Sequence, residues 1–168
     1  MGRGWRAIDK KDTVEDTLSI DLMELQKKGL FEKPGLWTTT WSRFGEVRAK
    51  VSFMLERDEG KPSAIRFIYT ITNRETGEDK KYDYPVYLDS TPCHFGGVRY
   101  WFLCPIIKNG VKCTRRTRKL YLTAYHQYVG CRECYELSYD SRQMSGNRYY
   151  EALGKEGRRA LKQEGKYR

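Results

Sequence analysis

Five cysteines stand in one stretch of the chain: Cys93, Cys104, Cys113, Cys131 and Cys134. Cys131 and Cys134 form a CREC turn, and such a turn sets two thiolates on one side of a tight loop where both reach one tetrahedral ion at about 2.3 Å. A second pair must complete the shell. Cys104 and Cys113 are separated by eight residues, PIIKNGVK, a longer gap than the roughly two to four usual in a ribbon. Asn109-Gly110 is a tight-turn signal that folds this segment into a small hairpin and returns Cys113 to Cys104. The spacing therefore predicts one structural Zn2+ on Cys104, Cys113, Cys131 and Cys134. A closed four-thiolate shell keeps no position for water, so the expected protein is non-enzymatic and has no catalytic residue.

Isolated cysteines are often small buried hydrophobes, and a redox CREC would need a parallel βαβ setting that nothing in the sequence suggests. Cys93 and His94 lie in the bend TPCHFGG just before the first ribbon strand. Either could substitute as a ligand; Cys93 is expected to pack in the loop. His126 could likewise replace a cysteine, although a surface histidine is the commoner case. A zinc hydrolase or nuclease would require an open site using His94 or His126 and a carboxylate base such as Glu133 or Glu136, and neither is signalled.

The charge follows the cysteines. Residues 1–90 carry 16 Lys and Arg against 16 Asp and Glu, whereas residues 91–168 carry 16 against 6, the whole of the net +10. Between the cysteine pairs runs TRRTRKLYLTAYHQY. If it is one strand, alternation turns Leu120 and Leu122 inward and Lys119, Tyr121 and Tyr125 outward, a cation beside two rings. Interleaved cations and aromatics suit single-stranded nucleic acid, where phosphates are neutralised and bases stack. Arg115, Arg116 and Arg118 in the same segment, Arg132 in the knuckle, and Arg142, Arg148, Arg158 and Arg159 beyond it extend the expected nucleic-acid surface, for RNA or DNA. In the plainer reading the tyrosines pack and the arginines are solvated. The alternative function is a protein-interaction module, of phage or mobile-element origin, docking an acidic partner.

Other classes are disfavoured. No apolar run approaches the ~20 residues of a membrane helix. The C-terminal residues Tyr149, Leu153, Ala160 and Leu161 make only a thin apolar stripe for a membrane surface. The start MGRGWRAIDKKD lacks the apolar core of a secretory signal, so a cytoplasmic location is expected. No glycine-rich phosphate loop, nucleophile elbow or clustered acid pair is found.

These residues need elements to hold them, and 168 residues suffice for one medium domain with an appendage. After a polar start expected to be loosely attached, Ser19–Leu30 reads as a short amphipathic helix capped by Asp21 or Ser19, ended by Gly29, and covering a sheet. From Leu36 the period becomes two. LWTTTWS, VRAKVSFMLE, SAIRFIYTIT and KKYDYPVYL, parted by RFGE, RDEGKP and NRETGED, predict an antiparallel meander of about four strands. Val47, Ala49, Val51, Phe53 and Leu55 in the second strand and Ile65, Phe67, Tyr69 and Ile71 in the third are its packed face. GVRYWFLC and TRRTRKLYLT supply the ribbon strands. Asp140 with Gln143 resembles a capping box opening a basic helix, weakened by Gly146, Gly154 and Gly157. The expected fold is thus α+β, mainly β: an antiparallel β-rich domain with an N-terminal helix over 1–90, a zinc ribbon over 91–140, and a basic C-terminal helix or tail over 141–168.

The residues TPCHFGGVRYWFLCP, then KLYL, then CRECYELSYDS resemble a family of uncharacterised bacterial zinc-ribbon proteins, whose ribbon strand ends in WFxCP and whose knuckle reads CRxCxxLxY. The resemblance covers Thr91–Arg142 and extends more weakly to SIDLMELQKKGL and the meander. It implies metal binding at Cys104, Cys113, Cys131 and Cys134. The chain departs from the pattern in having CPIIKNGVKCTRR where the family has a compact CPxCGRR, which bears on Cys113. The resemblance implies fold and zinc and carries no activity with it.

Overall fold

The computed structural model describes residues 11–33, 35–43, 46–72, 76–123 and 126–144. The chain divides into two compact units, residues 17–136 and a second made of 1–16 with 137–168.

In the larger unit the order is β1 (Leu18–Asp21), α1 (Leu22–Lys27), β2 (Leu36–Arg43), β3 (Glu46–Asp58), β4 (Lys61–Thr72), β5 (Asp79–Pro92), β6 (Val98–Leu103), β7 (Ile107–Lys108), β8 (Val111–Lys112), β9 (Arg116–Thr117) and β10 (Lys119–Leu122). Six strands form one antiparallel sheet in the order β2-β3-β4-β5-β6-β9, while β10 pairs with β1 and β7 with β8. The predicted alternation holds in the middle of the meander. Val51, Phe53, Ile65, Phe67 and Tyr69 are buried on one face and are joined from β5 by Tyr82 and Val86. The register sets Phe53 opposite Phe67 and Phe67 opposite Tyr84. Their rings meet edge-on at 5.2 Å and stacked at 6.1 Å, the two arrangements favoured by aromatic quadrupoles.

The helix starts later than its sequence pattern suggests. Ser19–Asp21 are strand, because their backbone pairs with β10, Ser19 facing Tyr121 and Asp21 facing Lys119. Asp21 is the N-cap: its carboxylate accepts from the Met23 amide at 3.0 Å. Leu22 and Leu25 then enter the same core as Phe53 and Phe102.

Residue 90 falls within β5, which pairs along its first part with β4 and along its last part with β6, Leu88 facing Phe102 and Pro92 facing Val98. One sheet therefore runs from the meander into the strand that leads to Cys104.

The smaller unit is described over Lys11–Asp16 and Leu137–Met144. Thr13 and Ser138 form a parallel bridge, the Val14 amide donates to the Ser138 carbonyl at 3.0 Å, and α2 (Asp140–Met144) begins with the Asp140 amide donating to Glu15 at 3.1 Å.

The α+β expectation with a basic C-terminal helix is corrected. Among the described residues helix amounts to the six residues of α1 and the five of α2, against strands of up to 14, so the chain is mainly β. A capping signal such as Asp140 fixes where a helix starts and not how far it runs. Residues 145–168 lie outside the described residues, as do residues 1–10 at the other end.

Candidate metal centre

Cys104 follows directly on β6, whose Phe102 is fully buried, so the sheet itself carries this thiol to its place. The next residues turn back as the β7–β8 hairpin. Ile107 faces Lys112 and Lys108 faces Val111, and the two residues between, Asn109 (φ 52°) and Gly110 (φ 77°), are both left-handed, as a two-residue turn of this twist requires. The hairpin closes through the Cys113 amide to the Ile106 carbonyl at 2.9 Å and the Cys104 amide to the Arg115 carbonyl at 3.0 Å. These bonds bring Cys113 beside Cys104 in spite of the long loop.

The CREC turn supplies the other two. Its backbone closes with the Tyr135 amide donating to the Cys131 carbonyl at 3.3 Å, and the Cys131 amide donates to the Cys104 sulfur at 3.3 Å. The four sulfurs lie within 4.8 Å of one another, with Cys104 Sγ 3.8 Å from Cys134 Sγ and Cys113 Sγ 4.0 Å from Cys131 Sγ. A disulfide holds its sulfurs at about 2.05 Å, and all four thiols are free. Edges near 4 Å are instead those of a tetrahedron of sulfurs about 2.3 Å from a common centre. Cys104, Cys131 and Cys134 are buried, Cys113 partly so, and Ile106 and Tyr135 pack against them. The four cysteines can thus hold a metal ion.

The hydrogen bond from the Cys104 thiol outweighs burial and lowers the Cys131 pKa to about 5, while that same bond and burial raise Cys104. Burial, with the neighbouring thiols, pushes Cys134 up to about 12. Four cysteine sulfurs this close suit a soft divalent ion, whose binding displaces the thiol protons.

Packing around the knuckle leaves no slack at Gly130. A Cβ there would come 2.7 Å from Cζ of Tyr135 and 2.8 Å from Cγ1 of Ile106. Gly130 also exchanges both backbone hydrogen bonds with Tyr121, at 2.8 and 2.9 Å. Sequence reasoning passed over this glycine, because neither a turn signal nor a left-handed φ marks it; only the close approach of two side chains does.

The other candidates stand apart. Cys93 and His94 are exposed, His94 edge-on to Phe95. His126 stacks on Tyr135 with ring centroids 4.0 Å apart, and its Nδ1 lies 2.5 Å from Thr123 Oγ1. None of the three belongs to the four-sulfur group.

The expected nucleic-acid residues divide. Thr114–Thr123 is not one strand: β9 pairs with β6, and β10 joins β1 after a break at Arg118, whose carbonyl accepts from the Leu22 amide. Because β10 is flanked by β1 on one side and Gly130 on the other and is covered on both faces, Leu120, Tyr121 and Leu122 are all buried, Tyr121 at 8 % exposure. The outward Tyr121 of the alternating pattern is therefore corrected, since alternation presumes one solvated face. Arg118 clamps the buried Asp21 carboxylate, its Nε 2.9 and 3.0 Å from the two oxygens, with Lys119 Nζ 3.6 Å away. Arg116 pairs with Asp89, Arg115 with Glu133 at 3.7 Å, and Arg132 with its neighbour Glu133. Arg142 is exposed on α2. Tyr125, Arg148, Arg158 and Arg159 lie outside the described residues. No described helix is long and apolar enough to cross a membrane.

In comparisons with known proteins, no family model, no curated protein and no solved structure matches the chain.

Proposed function

We propose that this is a non-enzymatic protein that binds nucleic acid, with Zn2+ as the ion held by Cys104, Cys113, Cys131 and Cys134. The observation that carries the reading is the closed group of four sulfurs at the base of a hairpin in the half of the chain that holds all of the net positive charge. Four soft thiolates and tetrahedral spacing select zinc among the common divalent ions. Bound there, zinc supplies cross-linking and charge compensation, and four protein ligands leave it no open coordination position for a substrate.

The chain's own residues do the rest. The sheet fixes Cys104, the Asn-Gly turn returns Cys113, and the cross-link would tie the β7–β8 hairpin to the CREC knuckle, so the nearby cations sit on a rigid base, Lys108 3.7 Å from Glu136, Arg115 3.7 Å from Glu133 and Lys112 over the Tyr87 ring. Cations held on a rigid frame neutralise phosphates with little ordering cost, and the counterions they release drive binding. The zinc-ribbon resemblance is part of this proposal, and the acidic-partner reading is its competitor.

The test is purification of the full chain followed by absorbance at 260 and 280 nm with and without nuclease. Copurified material that nuclease removes supports the proposal; protein free of nucleic acid that also fails to bind added strands at low salt contradicts it.

A further inference from the structure

The sheet has a second face that the alternating pattern leaves to solvent, and its β5–β6–β9 end is not simply polar. Asp89 and Trp101 are register partners and so share a face, and Tyr87, two residues back on β5, lies on that face too. Arg116 of β9 joins them, bonded through Nε to Asp89 at 2.5 Å; its Nη1 and Nη2 make no hydrogen bond among the described residues. Tyr87 is 52 % exposed, so one side of its ring is open to solvent. Lys112, from the hairpin between Cys104 and Cys113, sets its Nζ 5.3 Å from the centre of the Tyr87 ring. Arg99 lays its guanidinium carbon 4.2 Å from the centre of the Trp101 ring, and the Trp101 indole is held by its N–H donating to Thr91 Oγ1 at 3.0 Å.

We propose that this face is a stacking platform for single-stranded nucleic acid. The inference rests on the nucleic-acid reading above and gives it a place. Tyr87 and Trp101 stand diagonally across two strands, a separation of about 7–8 Å in a sheet, near one nucleotide step of an extended strand. Each ring is paired with a cation: one base stacks on Tyr87, and the next on the Arg99 guanidinium plane above Trp101, both established surfaces for unpaired bases. Lys112 and the outward Nη groups of Arg116 meet the phosphates between them. The Asp89 carboxylate on this face is itself used to hold Arg116. A paired base keeps its faces within the duplex stack, so the rings select single strands. The platform also joins the metal centre to binding, because Lys112 neighbours Cys113.

The experiment uses the full zinc-loaded chain and three fluorescein-labelled probes: a mixed-sequence 12-nucleotide DNA strand, the matching RNA strand, and the DNA duplex, read by anisotropy at 100 mM salt. The expected result is that Tyr87→Ala and Trp101→Ala each weaken strand binding by about 5- to 100-fold, leave duplex binding within about twofold, and are rescued by Tyr87→Phe and Trp101→Phe. Far-UV circular dichroism and zinc content establish that each variant is folded; half-exposed Tyr87 carries the test if Trp101→Ala is not. If wild type binds strands with strong salt dependence and the folded ring variants bind equally well, the platform is wrong while the nucleic-acid reading stands. If wild type binds none of the probes, both fail. If polyglutamate competes as well as the strand does and the ring variants change nothing, the face belongs to an acidic protein partner and the platform is overturned.

Discussion

The hydroxyl of Tyr69 on β4 lies 2.8 Å from that of Tyr84 on β5, and the pair is the middle of a hydrogen-bond chain that pins the approach to the metal centre. The Val129 amide donates to the Tyr84 oxygen at 2.9 Å, Tyr84 donates to Tyr69, and Tyr69 donates to the Gln127 carbonyl at 2.6 Å. Each hydroxyl gives one proton, and the directions are consistent from end to end. The sheet thereby holds the segment that runs into Gly130 and Cys131, so the core and the metal centre are one mechanical unit.

Replacing Tyr84 by Phe leaves the amide of fully buried Val129 without its acceptor, which costs about 1–3 kcal/mol. Urea denaturation of the variant should show a lower midpoint with an unchanged slope. The Tyr84 hydroxyl should also matter for pH. Burial raises its pKa from 10.0 to about 12 and that of Tyr69 further. A raised folded-state pKa means that the stabilisation is complete below pH 10 and is lost as pH rises through the folded value. The wild-type midpoint should therefore fall above pH 10, and that of Tyr84→Phe should fall less.

Asp21 governs the acid side. Burial acts to raise its pKa, but the hydrogen bonds from Arg118 and the Met23 amide outweigh it and hold the carboxyl below 3.8. A depressed folded-state pKa contributes stability that is present above 3.8 and lost as pH falls through the folded value. Stability measured from pH 5 downward should drop in wild type and drop less in Asp21→Asn. At neutral pH Asp21→Ala should cost about 1 kcal/mol through the helix cap alone.

Gly130→Ala should be disproportionately harmful for a single methyl. With Tyr135 and Ile106 under 3 Å from the new atom, overpacking of this kind costs about 1–3 kcal/mol. The displaced Tyr135 lies against the cysteines, so zinc should also leave faster; chelator competition followed by a metal-sensitive dye measures this. Normal stability and release in the variant would mean that the knuckle is looser than its packing implies.

Cysteine variants separate the ligands from their neighbour. Cys131→Ser and Cys134→Ser should abolish zinc retention by elemental analysis, Cys113→Ser should do the same in spite of its long loop, and Cys93→Ser should retain one zinc per chain. Retention by Cys131→Ser and Cys134→Ser together would remove the four-thiolate assignment.

Much of this architecture was readable before the structure, and the limits are instructive. Cys131-x-x-Cys134 and the Asn109-Gly110 turn are local signals, and local geometry was enough to bring four thiols together. The alternation of Val51 with Phe53 and of Ile65 with Phe67 was legible because one side of that sheet is solvated. The same rule failed at Tyr121, which is buried in a strand flanked by β1, about 100 residues away, and by Gly130. The start of α1 was misread for a related reason: Ser19 and Ile20 become strand through pairing with Tyr121 and Leu120, about 100 residues away. Tyr87 and Trp101 gave no separate signal, because an aromatic in a strand reads as core until its neighbours show which face it occupies.

The most direct test of the account is the salt dependence of strand binding by the zinc-loaded full chain. Four to six phosphate contacts predict a log-log slope of roughly -3 to -4 for a single strand between 50 and 300 mM salt. Arg116→Ala combined with Lys112→Ala should flatten it, since each lost contact removes about 0.7 from the slope for a single strand. A slope near zero, or affinity weaker than ~100 µM at physiological salt for strand and duplex alike, would contradict the assignment of the basic half to nucleic acid.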